Sequence, residues 1–195
     1  MTDGGELERV LEGIREAERV GLEPVKINMV PIRGINDDEI EDFARMTKEK
    51  PYHIRFIEFM PSGREDLWND ERCMKVAEIK QRVEAIGALD KLEFRGRGPS
   101  RNYRFADAPG VIGFISPVSH SFCYSCNRLR MNSLGKIRPC LFAETSIDVL
   151  TPMRNGVSDD ELAELFLKAI DIKPEGNFLG GKKRVSIRSM SSIGG

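Results

Sequence analysis

His53-Ile54-Arg55-Phe56-Ile57-Glu58-Phe59-Met60 is the stretch on which the fold turns, and Pro61-Ser62-Gly63 stops it. His53 and Arg55 stand at alternate positions among large apolar residues, the period of a strand. A helical pattern precedes it, with Ile40, Phe43 and Ala44 as the buried stripe. Asn36 and Glu39 stand three apart ahead of that helix, the spacing of a capping box. Further upstream, Pro24-Val25-Lys26-Ile27-Asn28-Met29-Val30 is a second strand, read as packed on both faces with Lys26 and Asn28 pointing the same way. Leu7, Val10, Leu11, Ile14 and Ala17 mark an amphipathic helix over 6–20 that ends at Gly21. Helix, strand, helix, strand at this spacing gives two α/β units of a parallel sheet or barrel.

In such architecture ligands bind beyond the carboxyl ends of the strands. Met60 lies at such an end and Lys26 lies within its strand. Met60 alone reads more readily as core than as a contact, and Lys26 reads equally as a solvated edge lysine. Two α/β units cannot close a barrel, because a lone parallel pair leaves unpaired edges. The expectation is the C-terminal part of a larger fold; a short protein that completes its sheet by oligomerising is the other reading.

Composition narrows the function classes. The 195 residues suffice for one large or two small domains, and a net charge of −1 gives no bulk affinity for nucleic acid. Basic strands alone do not suggest RNA binding without an aromatic–basic motif. No apolar run is long enough for a bilayer and no signal-peptide pattern opens the chain, so no membrane partner and a cytoplasmic location are expected. Clustered cysteines in a reducing compartment bind metal more often than they pair.

The polar loop 63–74 contains Trp68 and Cys73, an isolated thiol read as a bystander. Val76, Ile79, Val83 and Ile86 mark a third helix. Short strands over 91–95, 103–106 and 111–116 follow, separated by glycine- and proline-rich turns, so a second, meander-like subdomain is expected from residue 89 onward. Arg95, Arg97, Arg101 and Arg104 make it locally basic. Ser158-Asp159-Asp160-Glu161 is a capping box, ahead of a helix with Leu162, Leu165, Phe166 and Ala169 on its apolar face. The tail runs from Gly180 through a basic stretch to Ile193-Gly194-Gly195. A Gly-Gly tail also occurs on ubiquitin-like carriers, but no β-grasp pattern precedes it here.

The chemistry concentrates in Cys123-Tyr124-Ser125-Cys126-Asn127-Arg128-Leu129-Arg130, followed by a turn at Gly135 and then Cys140. Two thiolates at C-x-x-C spacing grip one centre from a tight loop, and the third returns after a hairpin. With His120 they make a Cys₃His zinc site, a binding module without chemistry of its own. Without it, three thiolates hold a 4Fe–4S cluster with one iron lacking a protein ligand, whereas electron-transfer cubanes take four cysteines. Spacing leaves both open, since thiolates suit both metals. Arg128 and Arg130 fall on one face if this is a strand, and their donor forks match a phosphate or a purine edge.

Phe122-Cys123-x-x-Cys126-Asn127-Arg128-x-Arg130 followed by Gly135-x-x-x-x-Cys140-Leu141-Phe142 resembles the C-terminal cluster motif of the GTP 3′,8-cyclases, radical S-adenosylmethionine (SAM) enzymes of molybdenum cofactor biosynthesis. Val25-Lys26-Ile27-Asn28, Arg33-Gly34-Ile35-Asn36-Asp37-Asp38-Glu39-Ile40, Arg55-Phe56-Ile57-Glu58-Phe59-Met60, Gly96-x-Gly98-Pro99 and Ile193-Gly194-Gly195 extend the likeness along the whole chain. The resemblance implies an α/β fold: the C-terminal portion of a partial (βα)₆ TIM-like barrel over 1–88, then a small α+β domain over 89–195 that carries the second 4Fe–4S cluster, the GTP site and the Gly-Gly tail. It implies Cys123, Cys126 and Cys140 as cluster ligands, and Arg128, Leu129 and Arg130 as the nucleotide-binding segment. Lys26 falls near the phosphates, Arg55 faces the cavity, Met60 contacts SAM, and Gly194 and Gly195 reach back to the active site. No residue is singled out as catalytic. Implied partners are GTP, the N-terminal half, a second copy in a homodimer, and downstream the cyclic pyranopterin monophosphate synthase.

The family's first cluster, which reduces SAM, rests on a C-x-x-x-C-x-x-C motif that this sequence does not contain. The 195-residue chain alone is therefore expected not to convert GTP to 3′,8-cyclo-7,8-dihydro-GTP. After anaerobic loading with iron and sulfide, it should release no 5′-deoxyadenosine from SAM above background; release above background contradicts that expectation.

Overall fold

The computed structural model describes residues 5–61, 68–93 and 98–175. They fall into two compact units. One holds the described residues through Phe59 and from Cys73 to Ser119; the other holds those from Met60 to Arg72 and from His120 onward.

The first unit contains helix α1 (Leu7–Arg19), strand β1 (Lys26–Met29), helix α2 (Ile40–Glu49), strand β2 (His53–Ile57), helix α3 (Val76–Glu84), and strands β3 (Leu89–Leu92), β4 (Arg101–Phe105) and β5 (Val111–Ile115). All five strands join one mixed sheet in the order β1-β2-β5-β4-β3. β1, β2 and β5 run parallel, and β4 and β3 are added antiparallel. The strands after residue 89 thus do not form a meander apart from the α/β units. They extend the same sheet, and the division by compactness falls after Ser119 rather than after residue 88.

The alternation read from the sequence places the core. Ile54 and Phe56 on β2, Ile112 and Phe114 on β5, and Met29 on β1 point to one face, where Ile40 and Ala44 of α2 and Ile79 and Val83 of α3 close over them. Each fully buried side chain of this size contributes about 1.5–3 kcal/mol relative to exposure. Phe56 stacks on Phe114, which Tyr103 meets edge-on. Lys26 and Asn28 do share the other face, but both are exposed, so β1 is packed on one face and not on two. Of the α1 stripe, Ile14 packs against the core while Leu7 and Val10 are exposed. The Asn36 capping box does not form. Asn36 Oδ1 accepts from the Ile32 N–H at 2.7 Å and its amide donates to Val30 O at 3.2 Å, so the side chain ties its own loop.

Glu58 is 1% exposed, a buried carboxylate one residue past β2. It accepts N–H groups from Val76, Val118 and Ser119, each at 2.8 Å, and the Ser119 hydroxyl. A buried charge is tolerable only with such a set of donors. This one joins the end of β2 to the start of α3 and to the segment after β5.

In the second unit, β6 (Arg130–Met131), β7 (Lys136–Arg138) and β8 (Ile147–Asp148) form an antiparallel sheet. Gly135, at φ +65°, makes the β6–β7 turn. Asn132 Oδ1 holds that turn by accepting from the N–H groups of Leu134 and Lys136. Helices α4 (Leu150–Arg154) and α5 (Asp159–Asp171) follow. Ser158 and Glu161 form the reciprocal capping box expected of them. Ala169 and Leu165 of α5 pack on Ile137 and Val149, with Leu129 on the same small core.

A side chain at Gly110 would enter the contact between the end of α2 and the turn before β5. A methyl there would lie 2.7 Å from both Lys50 O and Tyr52 O and 2.8 Å from Thr47 Cα, all rigid backbone. Gly110→Ala should lower unfolding stability by about 1–3 kcal/mol, the usual cost of overpacking. A urea midpoint equal to wild type contradicts this packing.

Candidate functional site

The polar face of the five-stranded sheet carries one set of candidate residues. Register places Asn28, Arg55, Gly113 and Asn102 in one row across β1, β2, β5 and β4. Lys26 pairs with His53 and Val111 in the next row, and Arg104 lies two residues from Asn102 on the same face. Lys26 and Arg55, singled out from the sequence, therefore share a face. Gly113 clears space in that row: a side chain there would collide with Ser100 Oγ and would stand 3.0 Å from both Arg55 Cγ and Asn102 Oδ1. Ser100 Oγ donates to Asn102 Oδ1 at 2.8 Å. Arg55 Nε is buried and has no hydrogen-bond partner among the described residues. His53, half-buried in this field, has its imidazole below the usual range through burial and through the cations Lys26, Arg55 and Arg104. The three cations on this face, Lys26, Arg55 and Arg104, favour an anion.

Met60 is half-buried, three residues beyond the end of β2. Cys73 is buried and its thiol donates to Phe59 O at 3.4 Å, in keeping with a bystander. Gly194, Gly195, Arg95 and Arg97 lie outside the described residues.

The second unit carries the thiols. Cys123 and Cys126 bracket a single 3₁₀ turn, Cys123–Ser125, closed by the Cys126 N–H donating to Cys123 O at 3.1 Å. Cys140 sits two residues past β7 in a turn closed by Ala143 N–H to Cys140 O at 3.1 Å and braced by Arg138, which donates to Ala143 O at 3.2 Å. All three are free and half-buried. Burial opposes the Cys126 thiolate. The backbone N–H and guanidinium of Arg128, which hydrogen-bond the sulfur, nevertheless pull the thiol below its usual range, and the charge of Lys173 adds to this. Arg128 also lies over the Phe122 ring, 5.0 Å from its centroid. Arg130 is held down by burial and by Arg128, against the opposing pull of Cys140 and Cys126. Leu129 between them packs on the small core, so its side chain serves to set the two arginines.

Three soft thiolates in a basic setting suit an iron–sulfur cluster by donor type, with Cys123, Cys126 and Cys140 as the holders. Among the described residues, no three His, Cys, Asp or Glu side chains are gathered as a single metal ion requires. A cubane takes each thiolate on a different iron and does not need the sulfurs to meet at one point. His120, the proposed fourth zinc ligand, is exposed.

A family model described as Molybdenum Cofactor Synthesis C matches residues 52–179, two-thirds of the chain and all three clustered cysteines. The chain belongs to the Molybdenum Cofactor Synthesis C family. Curated relatives named GTP 3′,8-cyclase agree. Those of Thermodesulfovibrio yellowstonii and Alkaliphilus metalliredigens are 44% and 43% identical over 196 residues, covering all of this chain and 60% of the relative. That of Microcystis aeruginosa is 44% identical over 188 residues, covering 94% of this chain and 57% of the relative. The chain thus spans about 60% of the length of the curated relatives it matches.

Within this Molybdenum Cofactor Synthesis C chain, sequence reading missed His53, Ser100, Asn102 and Lys173. His53 was accessible in principle, since strand parity puts it on the face of Arg55. The others depend on register and on contacts far apart in the chain. Among the described residues, no helix is long and apolar enough to cross a membrane.

The His53 field gives a signed prediction. Lys26→Met removes a repelling cation, so the His53 midpoint followed by NMR should rise toward its ordinary value. Because the folded imidazole binds its proton less tightly than the unfolded one, this group makes stability fall as pH drops below about 6.5. An unmoved midpoint in the variant contradicts the assigned field.

Proposed function

We propose that this chain is the cluster-bearing, nucleotide-holding part of a GTP 3′,8-cyclase, acting in molybdenum cofactor biosynthesis on GTP. The observation that carries the reading is the second unit's trio of half-buried thiols with Arg128 acting directly on the Cys126 sulfur. The family membership and the names of the relatives support it.

Cys123, Cys126 and Cys140 are the residues that would hold a 4Fe–4S cluster. When bound, such a cluster supplies one iron without a protein ligand, to which a purine can coordinate. The protein's own part is binding and orientation. Arg128, braced on Phe122, and Arg130, set by the packing of Leu129, offer planar donor forks to the nucleotide. On the family's pattern Lys26 is assigned to the phosphates and Arg55 to the GTP cavity, and the unspent Arg55 Nε and the cations around His53 are in keeping with an anion. Met60 is assigned to SAM, and the C-terminal glycines to the same reaction. The first cluster, SAM reduction and any dimer belong to the whole enzyme and are proposed only on the family's pattern.

Anaerobic loading of the chain with iron and sulfide should give a brown protein with iron and sulfide in equal amounts. Cys123→Ser, Cys126→Ser and Cys140→Ser should each lose most of it. Arg128→Ala and Arg130→Ala should each weaken GTP binding roughly 10–100-fold, as expected for a lost hydrogen bond to a charged group. A colourless zinc protein, or GTP binding indifferent to both arginines, contradicts the proposal.

A further inference from the structure

Lys173 follows α5 and its ammonium makes two contacts that nothing in the family assignment explains. It donates to Arg128 O at 2.8 Å and to Pro139 O at 2.6 Å. Arg128 lies two residues after Cys126, and Pro139 immediately precedes Cys140. One side chain thus ties together the two backbone segments that present the thiols.

The surroundings make this a built contact. α5 is anchored by Ala169 and Leu165 on Ile137 and Val149, so the helix fixes where Lys173 emerges relative to β7. Arg130 opens β6 and Arg138 closes β7, and these two residues pair in register. The β6–β7 pairing among the described residues ends at that pair, and the two cysteine-bearing segments lie beyond it. The ammonium offers three donors and satisfies one carbonyl on each side. Neutral donors could bridge the same carbonyls, but a cation also offsets negative charge on the nearby thiolates and on whatever they bind.

We propose that Lys173 is a positioning residue for the three-cysteine centre: it fixes the spacing of the Cys126 and Cys140 segments from behind and supplies a permanent positive charge to the centre. The proposal rests on the cluster reading given above. It predicts two separable effects. The bridge governs how firmly the cluster is held, and the charge governs how easily it is reduced, since net charge and hydrogen bonding near a cluster set its potential.

The test loads the 195-residue chain anaerobically with iron and sulfide as wild type, Lys173→Arg, Lys173→Gln and Lys173→Met. Each is challenged with an iron chelator while the visible cluster absorbance is followed, and each is titrated for midpoint potential. Lys173→Met should lose its cluster about 10–100-fold faster, the range for removing a group that orients metal ligands. Lys173→Gln, which can still reach the carbonyls without charge, should hold the cluster better than Lys173→Met yet share its more negative potential. Lys173→Arg should restore the potential. Circular dichroism of the unloaded variants checks folding, and if Lys173→Met fails that check, the Gln–Arg pair decides through the potential alone. Retention and potential unchanged across the series overturn the proposal while leaving the cluster reading intact. A wild-type chain that takes up no iron–sulfur overturns the cluster reading, and this proposal with it.

Discussion

The backbone N–H and the guanidinium of Arg128 favour the Cys126 thiolate, with Lys173 adding its charge from the side of α5. A half-buried thiol would ordinarily resist ionisation. Here the Arg128 N–H and guanidinium together with the charge of Lys173 outweigh burial, and the same neighbourhood includes Arg130. Concentrated positive charge around reduced thiols is what an anionic, thiolate-held centre requires, and it is also what a nucleotide requires. Both proposals for the second unit rest on that one electrostatic arrangement, and the small core of Ile137, Val149 and Ala169 packs α5 against β7.

The first unit solves a related problem on a sheet. Its apolar face is filled by α2 and α3, which leaves the opposite face to polar side chains. Gly113 lacks the side chain that would block the approach of Arg55, Ser100 and Asn102. Glu58, one residue past β2, spends its buried charge on backbone N–H groups from two other segments. The carboxylate is thus a joint of the fold, while His53 and Arg55 on the same strand lie on its polar face.

Much of this was legible in the sequence because it depends on local periodicity. The alternation over 53–57 gave both the strand and its core face, the hairpin turn at Gly135 followed from its spacing, and the Ser158–Glu161 capping box formed as read. What failed was non-local. Short strands between glycine and proline turns look the same whether they start a new sheet or extend an old one, so β3–β5 were read as separate. Asn36 had the sequence of a cap, but a backbone N–H four residues earlier claimed its oxygen. Lys173 gave no local signal, because its partners lie 45 and 34 residues away. The cysteine trio was visible at once; what sequence alone left open was the choice between a cluster and a zinc ion.

The most direct test of the central claim is the Mössbauer spectrum of the ⁵⁷Fe-loaded chain with and without GTP. If the three thiolates leave one iron open to the purine, one iron of the four should change its parameters when GTP is added, while the other three stay as they were. A spectrum indifferent to GTP, or one in which all the irons behave alike, contradicts the account.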